Sequence, residues 1–208
     1  MQDNKIDVFD LDGTIFRGNT FHRFVVFLGL RALLTMNLPL LYRVARDTAA
    51  RKFKLINHFE WKCRVMNEAC VLSQDELNYF SRKIVKESEN RLNELLTKCQ
   101  HTRRRVLATA APSVYAEKVG HLMGFDIVIS SKSIDGTIVE VIREKKCNLV
   151  LNYAALEDMC INNFFTDHHD DVFLARFAEH NYLIDPSIIS LDRFREFGIN
   201  FDIICLNS

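Results

Sequence analysis

Asp10 and Asp12 stand two residues apart in Val8-Phe9-Asp10-Leu11-Asp12-Gly13-Thr14, where an apolar run ends. Carboxylates this close repel and shift each other's pKa, so both ionise only beside a cation or several donors. Such a pair is expected where it is used, above all on a metal ion. Gly13 behind it permits a sharp turn with unusual backbone angles. As a plain turn, the segment offers no structural reason for two acids directly after a strand-length apolar run.

Three further groups could meet that pair. Thr109 closes the run Val106-Leu107-Ala108. Lys145 and Lys146 open a helical pattern, and Lys146 begins the cleaner buried stripe, with Cys147, Val150 and Leu151 behind it. Asp167 and Asp171 follow the apolar run Phe164-Phe165-Thr166, much as Asp10 follows Phe9. Taken singly, each has a plainer reading. Thr109 could be any strand-end threonine, either lysine a solvated helix residue, and the two aspartates helix caps. Their common position at carboxyl ends of expected strands gives them weight, because ligands of open α/β sheets bind at that edge.

The elements that must carry them are read from periodicity. Residues 6–9 form a short buried strand. Residues 19–100 look helical almost throughout, with Asn19-Thr20 as a start signal. Strands are expected at 106–109, 125–129, 137–141, 164–166, 182–184 and 201–205, with Asp135-Gly136 as a turn. Between them the pattern predicts helices from Pro112 to Gly120 or Gly124, and over 145–160, 172–179 and 188–197. Strand–helix alternation of this kind argues for an α/β fold, a Rossmann-like doubly wound parallel sheet. The helical stretch interrupts an alternation that begins before it and resumes after it. The expected organisation is a core of residues 1–17 and 101–208 with an all-helical cap of residues 18–100 inserted.

Within that insertion, residues 24–42 are nearly all apolar, interrupted by Arg31, Asn37 and Pro39 and flanked by Arg23 and Arg43. A spanning helix wants about 20 apolar residues with few or no charges. A helical hairpin buried in the cap is the first reading, and a segment lying on a membrane surface the second.

Bulk composition narrows the classes. Lys+Arg and Asp+Glu are both 27, so no net field draws the chain to nucleic acid or anionic lipid. The 6 cysteines form no C-x-x-C pair and no zinc spacing, which points to buried thiols in a reducing compartment. Gln2 to Lys5 run straight into a strand without a secretory pattern, and a cytoplasmic protein is expected.

Together the four groups resemble the motifs of the haloacid dehalogenase superfamily of phosphohydrolases. Asp10-Leu11-Asp12-Gly13-Thr14 is similar to its first motif, Thr109 to its second, the lysine to its third, and Asp167 with Asp171 to its fourth. The placement of the helical cap between the first two motifs, and Asp185-Pro186 after a later strand, resemble the branch containing phosphoserine phosphatase. The apolar segment soon after the first motif gives a looser likeness to phosphatidylglycerophosphatase C. Two positions depart from the pattern: His168 stands where a small residue is common, and Thr166 where a glycine precedes the aspartate.

The resemblance implies a Mg²⁺-dependent phosphomonoesterase acting on a small phosphate ester. Asp10, the Asp12 backbone carbonyl and Asp167 would hold the ion, and Asp171 would hold water on it. Asp10 would attack phosphorus and form an aspartyl-phosphate. Asp12 would give a proton to the leaving oxygen and later take one from water. Thr109 and the Ala110 N–H would bind phosphoryl oxygens, and Lys146 or Lys145 would neutralise charge. The same intermediate could pass to an alcohol in a phosphotransferase, or serve a phospholipid phosphatase at a membrane surface. A non-enzymatic module is disfavoured by the filling of all four motif positions. The pair His168-His169 also raises a transition-metal alternative.

Overall fold

A computed structural model describes residues 4–100, 103–134 and 137–206. The chain opens with strand β1 (Lys5–Phe9), then runs through four helices: α1 (Thr20–Leu34), α2 (Leu38–Lys52), α3 (His58–Glu68) and α4 (Gln74–Leu96). Each of the four starts on a side chain that takes an otherwise unpaired helix N–H. Asn19 accepts from His22, Asn37 from Leu40, Asn57 from Glu60, and Ser73 from Glu76. Glu76 reaches back to the Ser73 N–H at 2.7 Å and completes a capping box.

The alternating part follows with β2 (Arg104–Pro112), α5 (Ser113–Leu122), β3 (Ile127–Ile134), β4 (Thr137–Val139) and α6 (Arg143–Leu156). It ends with β5 (Cys160–Thr166), the short α7 (Val172–Ala175), β6 (Ala178–Ile184), α8 (Ile188–Glu196) and β7 (Asp202–Ile204). The sheet order is β4-β3-β2-β1-β5-β6-β7. Every pairing is parallel except β3 with β4, which is antiparallel. The fold is a Rossmann-like core with an inserted helical cap.

Side-chain alternation along the strands builds two layers. On one face, Phe9, Leu107 and Phe165 join a core shared with α5 and the inserted helices. Phe9, Phe165 and Tyr182 stack across three strands, with centroid separations of 4.4 and 4.8 Å. On the other face, Val8, Val106, Phe164 and Leu183 pack with residues of α6, α7 and α8. Successive connections leave β1 toward β2 on one side and β5 on the other, so a crevice opens at the carboxyl end of β1.

Some expectations need correction. The helix expected over 172–179 is only Val172–Ala175, because Ala178 and His180 are drawn into parallel pairing with Ile161 and Asn163 of β5. The helix expected over 145–160 ends at Leu156, and Cys160 already belongs to β5. Pro112 caps α5 from the end of β2 and does not lie within its first turn. The turn expected at Asp135-Gly136 lies outside the described residues.

The apolar stretch 24–42 forms a helical hairpin with one side in the cap and the other exposed. Phe24, Val25, Leu28, Ala32 and Leu40 are buried in the cap, whereas Val26, Leu30, Leu33, Leu34, Met36 and Leu38 are exposed. No helix among the described residues is long and apolar enough to cross a membrane.

Candidate active site

The loop after β1 is wound tightly on itself. Asp10 N–H donates to the Phe165 carbonyl of β5 at 2.9 Å, and Gly13 N–H is shared between the carbonyls of Phe16 and Gly18 at 2.8 and 3.0 Å. Gly13 has φ +82°, a region that L side chains rarely adopt. A Cβ there would also run into the Asp167 carboxylate. The first and fourth acidic segments are therefore in contact only because this residue has no side chain.

Asp10 is 7% exposed. The Lys146 ammonium donates to its Oδ1 at 2.9 Å and to Asp171 Oδ2 at 2.9 Å. Asp171 Oδ2 also accepts from the Thr166 hydroxyl at 2.6 Å. Thus Thr166, which departs from the family's glycine, is used to fix Asp171, and Asp171 fixes the lysine. Lys145, the other sequence candidate, is exposed. Lys146 sits on the first turn of α6 with Cys147 and Val150 beneath it in the core, which is why the next lysine points inward and its neighbour out.

One ammonium here faces more than one carboxylate. Burial pulls the Lys146 pKa down, but Asp10 and Asp171 outweigh it and hold the lysine charged above its ordinary range. The acids carry the imbalance. Burial raises Asp10 to about 8, opposed by Lys146 and reinforced by Asp171 and Asp167. Asp167 rises to about 6, through burial and then Asp171. Its Oδ1 is buried with no hydrogen-bond partner, while its backbone carbonyl accepts from the Ser190 hydroxyl at 2.8 Å.

Asp12 is oriented by the cap. Its Oδ1 accepts the N–H of Thr20, the first residue of α1, at 2.7 Å. Burial raises its pKa, and Thr20 partly opposes that. On the opposite wall, the β2–β3 register shifts between Thr109 and Pro112, which leaves Ala110 and Ala111 out of the ladder while Thr109 still pairs with Ser130. The Ala111 N–H donates to the Thr109 hydroxyl oxygen at 3.0 Å. A cavity of about 440 Å³ is lined by Asp10, Asp12, Thr109, Ala110, Lys146, Asp167 and Asp171, every site residue read from the sequence.

Two donor sets could take a cation. The first is all oxygen, from Asp10, Asp12 and Asp167, and it suits a hard ion such as Mg²⁺. The orphaned Asp167 Oδ1 and the surplus of buried carboxylate over ammonium are what such an ion would relieve. The second is His168, His169 and Asp170, whose ligand atoms lie within 4.8 Å of one another. Imidazoles suit transition metals. In this second set, however, His168 Nδ1 already accepts the Asp170 N–H at 3.1 Å, and Asp170 Oδ1 is held by Arg143 at 3.0 Å. The ligand atoms of the second set are nonetheless the ones that lie close together among the described residues, while the first set is favoured only by the chemistry of its donors.

Sequence reasoning missed three cations. Arg143 lines the cavity with φ +49°, a strained value for a non-glycine residue. Its spacing of one helical turn from Lys146 was the available signal. Lys62 and Arg91 come from the cap. Lys62 donates to the Ala110 carbonyl and to Glu140 Oε1, both at 2.7 Å. Arg91 donates to the carbonyls of Gly13 and Thr14 and to Asp185 Oδ2, all at 3.0 Å. Nothing in their local sequence marks them.

Among curated proteins, none matches the chain. Among solved structures, a protein of unknown function from Bordetella pertussis Tohama I superposes with a TM-score of 0.74 at 15% identity, over 96% of this chain and 98% of that one. A phospho-aspartyl intermediate analogue of phosphoserine phosphatase gives 0.53 at 14%, over 100% and 95%. A substrate-bound phosphoserine phosphatase complex gives 0.54 at 13%, over 100% and 94%. At these identities the likeness is one of fold. The model of one family, described as haloacid dehalogenase-like hydrolase, matches residues 8–176, from the strand that carries Asp10 to the end of the segment that carries Asp167 and Asp171. With most of its length and all four acidic, hydroxyl and lysine segments inside that match, the chain belongs to the haloacid dehalogenase-like hydrolases.

Proposed function

We propose that the protein is a Mg²⁺-dependent phosphomonoesterase that works through an aspartyl-phosphate on Asp10. The observation that carries this reading is the Lys146 ammonium on Asp10 Oδ1, in a cavity that Thr109 and Asp12 also line. A phosphate monoester is a dianion, and a carboxylate can approach it only where positive charge offsets both. Lys146 supplies one such charge, locked by Asp171. Mg²⁺, held by Asp10, the Asp12 carbonyl and Asp167, would supply the rest by neutralising phosphoryl oxygens.

The remaining steps belong to the chain's own groups. Thr109 and the Ala110 N–H bind phosphoryl oxygens and orient phosphorus toward Asp10. The Asp10 oxygen forms a bond to phosphorus as the ester oxygen leaves. Asp12, with Oδ1 tied to Thr20, keeps its other oxygen for the proton. Burial raises its pKa, which favours its holding that proton, giving it to the leaving oxygen, and then taking one from the water that attacks the phosphoryl group. The phosphoserine phosphatase structures of the same fold, a phospho-aspartyl intermediate analogue and a substrate complex, are in keeping with this course.

The test is hydrolysis of an aryl phosphate with Mg²⁺. Activity is expected with the ion and lost on chelation and in Asp10→Asn. Full turnover in either condition would contradict the reading.

A phospholipid phosphatase at a membrane surface is a second reading, favoured by the exposed apolar tip of the α1–α2 hairpin. Leu33, Leu34, Met36 and Leu38 are all exposed there. Arg51, Lys52 and Lys54 follow at the far end of α2. Flotation with vesicles rich in anionic lipid separates the readings: binding lost in Leu33→Glu/Leu34→Glu supports it, and no binding by the wild type removes it.

A further inference from the structure

The inserted helices send two buried cations into the core, and both end on backbone carbonyls of the loops that form the site. Lys62 of α3 is 3% exposed and Arg91 of α4 is 8% exposed. Each has one carboxylate partner in the core, Glu140 for Lys62 and Asp185 for Arg91. A single ion pair of that kind would suffice to seat a lid. The additional bonds reach further than seating requires, to Ala110, Gly13 and Thr14.

The bond from Lys62 has a direction. The carbonyl it grips belongs to the peptide whose N–H is that of Ala111, and that N–H donates to the Thr109 hydroxyl oxygen at 3.0 Å. An ammonium on the carbonyl end polarises the peptide and strengthens what its N–H donates. A threonine hydroxyl has one proton and two lone pairs. With a lone pair occupied by Ala111, the proton is left for an acceptor in the cavity that Thr109 lines. The Ser131 hydroxyl donates to the same Ala110 carbonyl at 2.8 Å, so Lys62 and Ser131 share that acceptor. Arg91 acts on the other wall. Its two carbonyl bonds hold the turn at Gly13, whose φ of +82° and contact with Asp167 leave no slack.

We propose that Lys62 and Arg91 are positioning residues, through which α3 and α4 set the Thr109–Ala111 and Gly13–Thr14 segments. This rests on the phosphatase reading for what Thr109 and Asp10 do.

The test pairs inorganic phosphate binding by calorimetry with aryl phosphate kinetics, on the full chain. Lys62→Met is expected to raise the phosphate Kd and the KM about tenfold, with kcat changed by less than about threefold. Lys62→Arg is expected to restore most of that loss. Arg91→Met is expected to lower kcat roughly 100-fold while phosphate Kd stays within about threefold, because the nucleophile loop shifts and the phosphate loop does not. Lys62→Gln keeps a neutral donor and serves if the methionine variant fails to fold, with an expected rise in Kd of about threefold. A Lys62 variant with wild-type Kd and KM overturns the proposal. So does a loss shared equally by both variants as a smaller active fraction with unchanged KM, the mark of a merely structural role. Wild-type protein that neither binds phosphate nor hydrolyses the ester fails the phosphatase reading instead.

Discussion

Lys146 Nζ lies 2.9 Å from Asp10 Oδ1, and both groups are buried. Removing one partner of such a pair strands the other. Lys146→Met is therefore expected to destabilise the protein by about 3–5 kcal/mol at about pH 9, above the raised value of about 8 for Asp10. The loss should shrink at about pH 6, below the value of about 8 at which Asp10 takes up a proton. Thermal melts of wild type and variant at the two pH values check this.

The raised carboxylates give stability a definite pH slope. Asp10 at about 8 and Asp167 at about 6 both bind protons more tightly folded than unfolded, where a carboxylate sits near 4. Their contribution is complete below pH 4 and is lost as pH rises through 6 and then 8. Without divalent ions, the melting temperature is expected to fall between pH 5 and 8. Mg²⁺ must displace those protons, so it should raise the melting temperature more at pH 8 than at pH 5. An equal effect at both would contradict the placement of the ion on these acids.

Gly13→Ala places a methyl group against the Asp167 carboxylate at a φ that alanine avoids. A displacement of an ångström between reacting groups can cost about 100-fold. Hydrolysis by this variant is expected to fall by at least that factor. Circular dichroism should show the helices retained, because the strain is confined to one turn.

Asp12→Asn keeps an acceptor for the Thr20 N–H but loses the proton carrier. Hydrolysis is expected to drop by about 10²–10⁴-fold. With an aryl leaving group that departs unprotonated, phosphoenzyme formation should suffer less than its breakdown, which a rapid-quench time course resolves. Equal losses in both steps would contradict the acid–base role.

Much of this site was legible because its parts obey local rules. Asp10 follows an apolar strand, Asp167 and Asp171 follow the apolar end of β5, and the stripe Cys147-Val150 turns Lys146 inward. The misreadings have tertiary causes. Residues 178–179 carry a helical-looking pattern but belong to β6, which pairs with β5, and strand pairing overrides propensity. Lys62 and Arg91 look like any polar residue of an amphipathic helix, because their partners lie 48 and 77 residues away along the chain. The stretch 24–42 is ambiguous in sequence for a real reason: one side of its hairpin fills the cap and the other faces out.

The central claim is that Asp10 itself carries the phosphoryl group. The most direct measurement is acid quench during turnover of an aryl phosphate, reduction with borodeuteride, and peptide mass mapping. An aspartyl-phosphate is converted to deuterated homoserine, and the account predicts that label at position 10 alone. Steady turnover with no label at Asp10, or with label on another carboxylate, would contradict it.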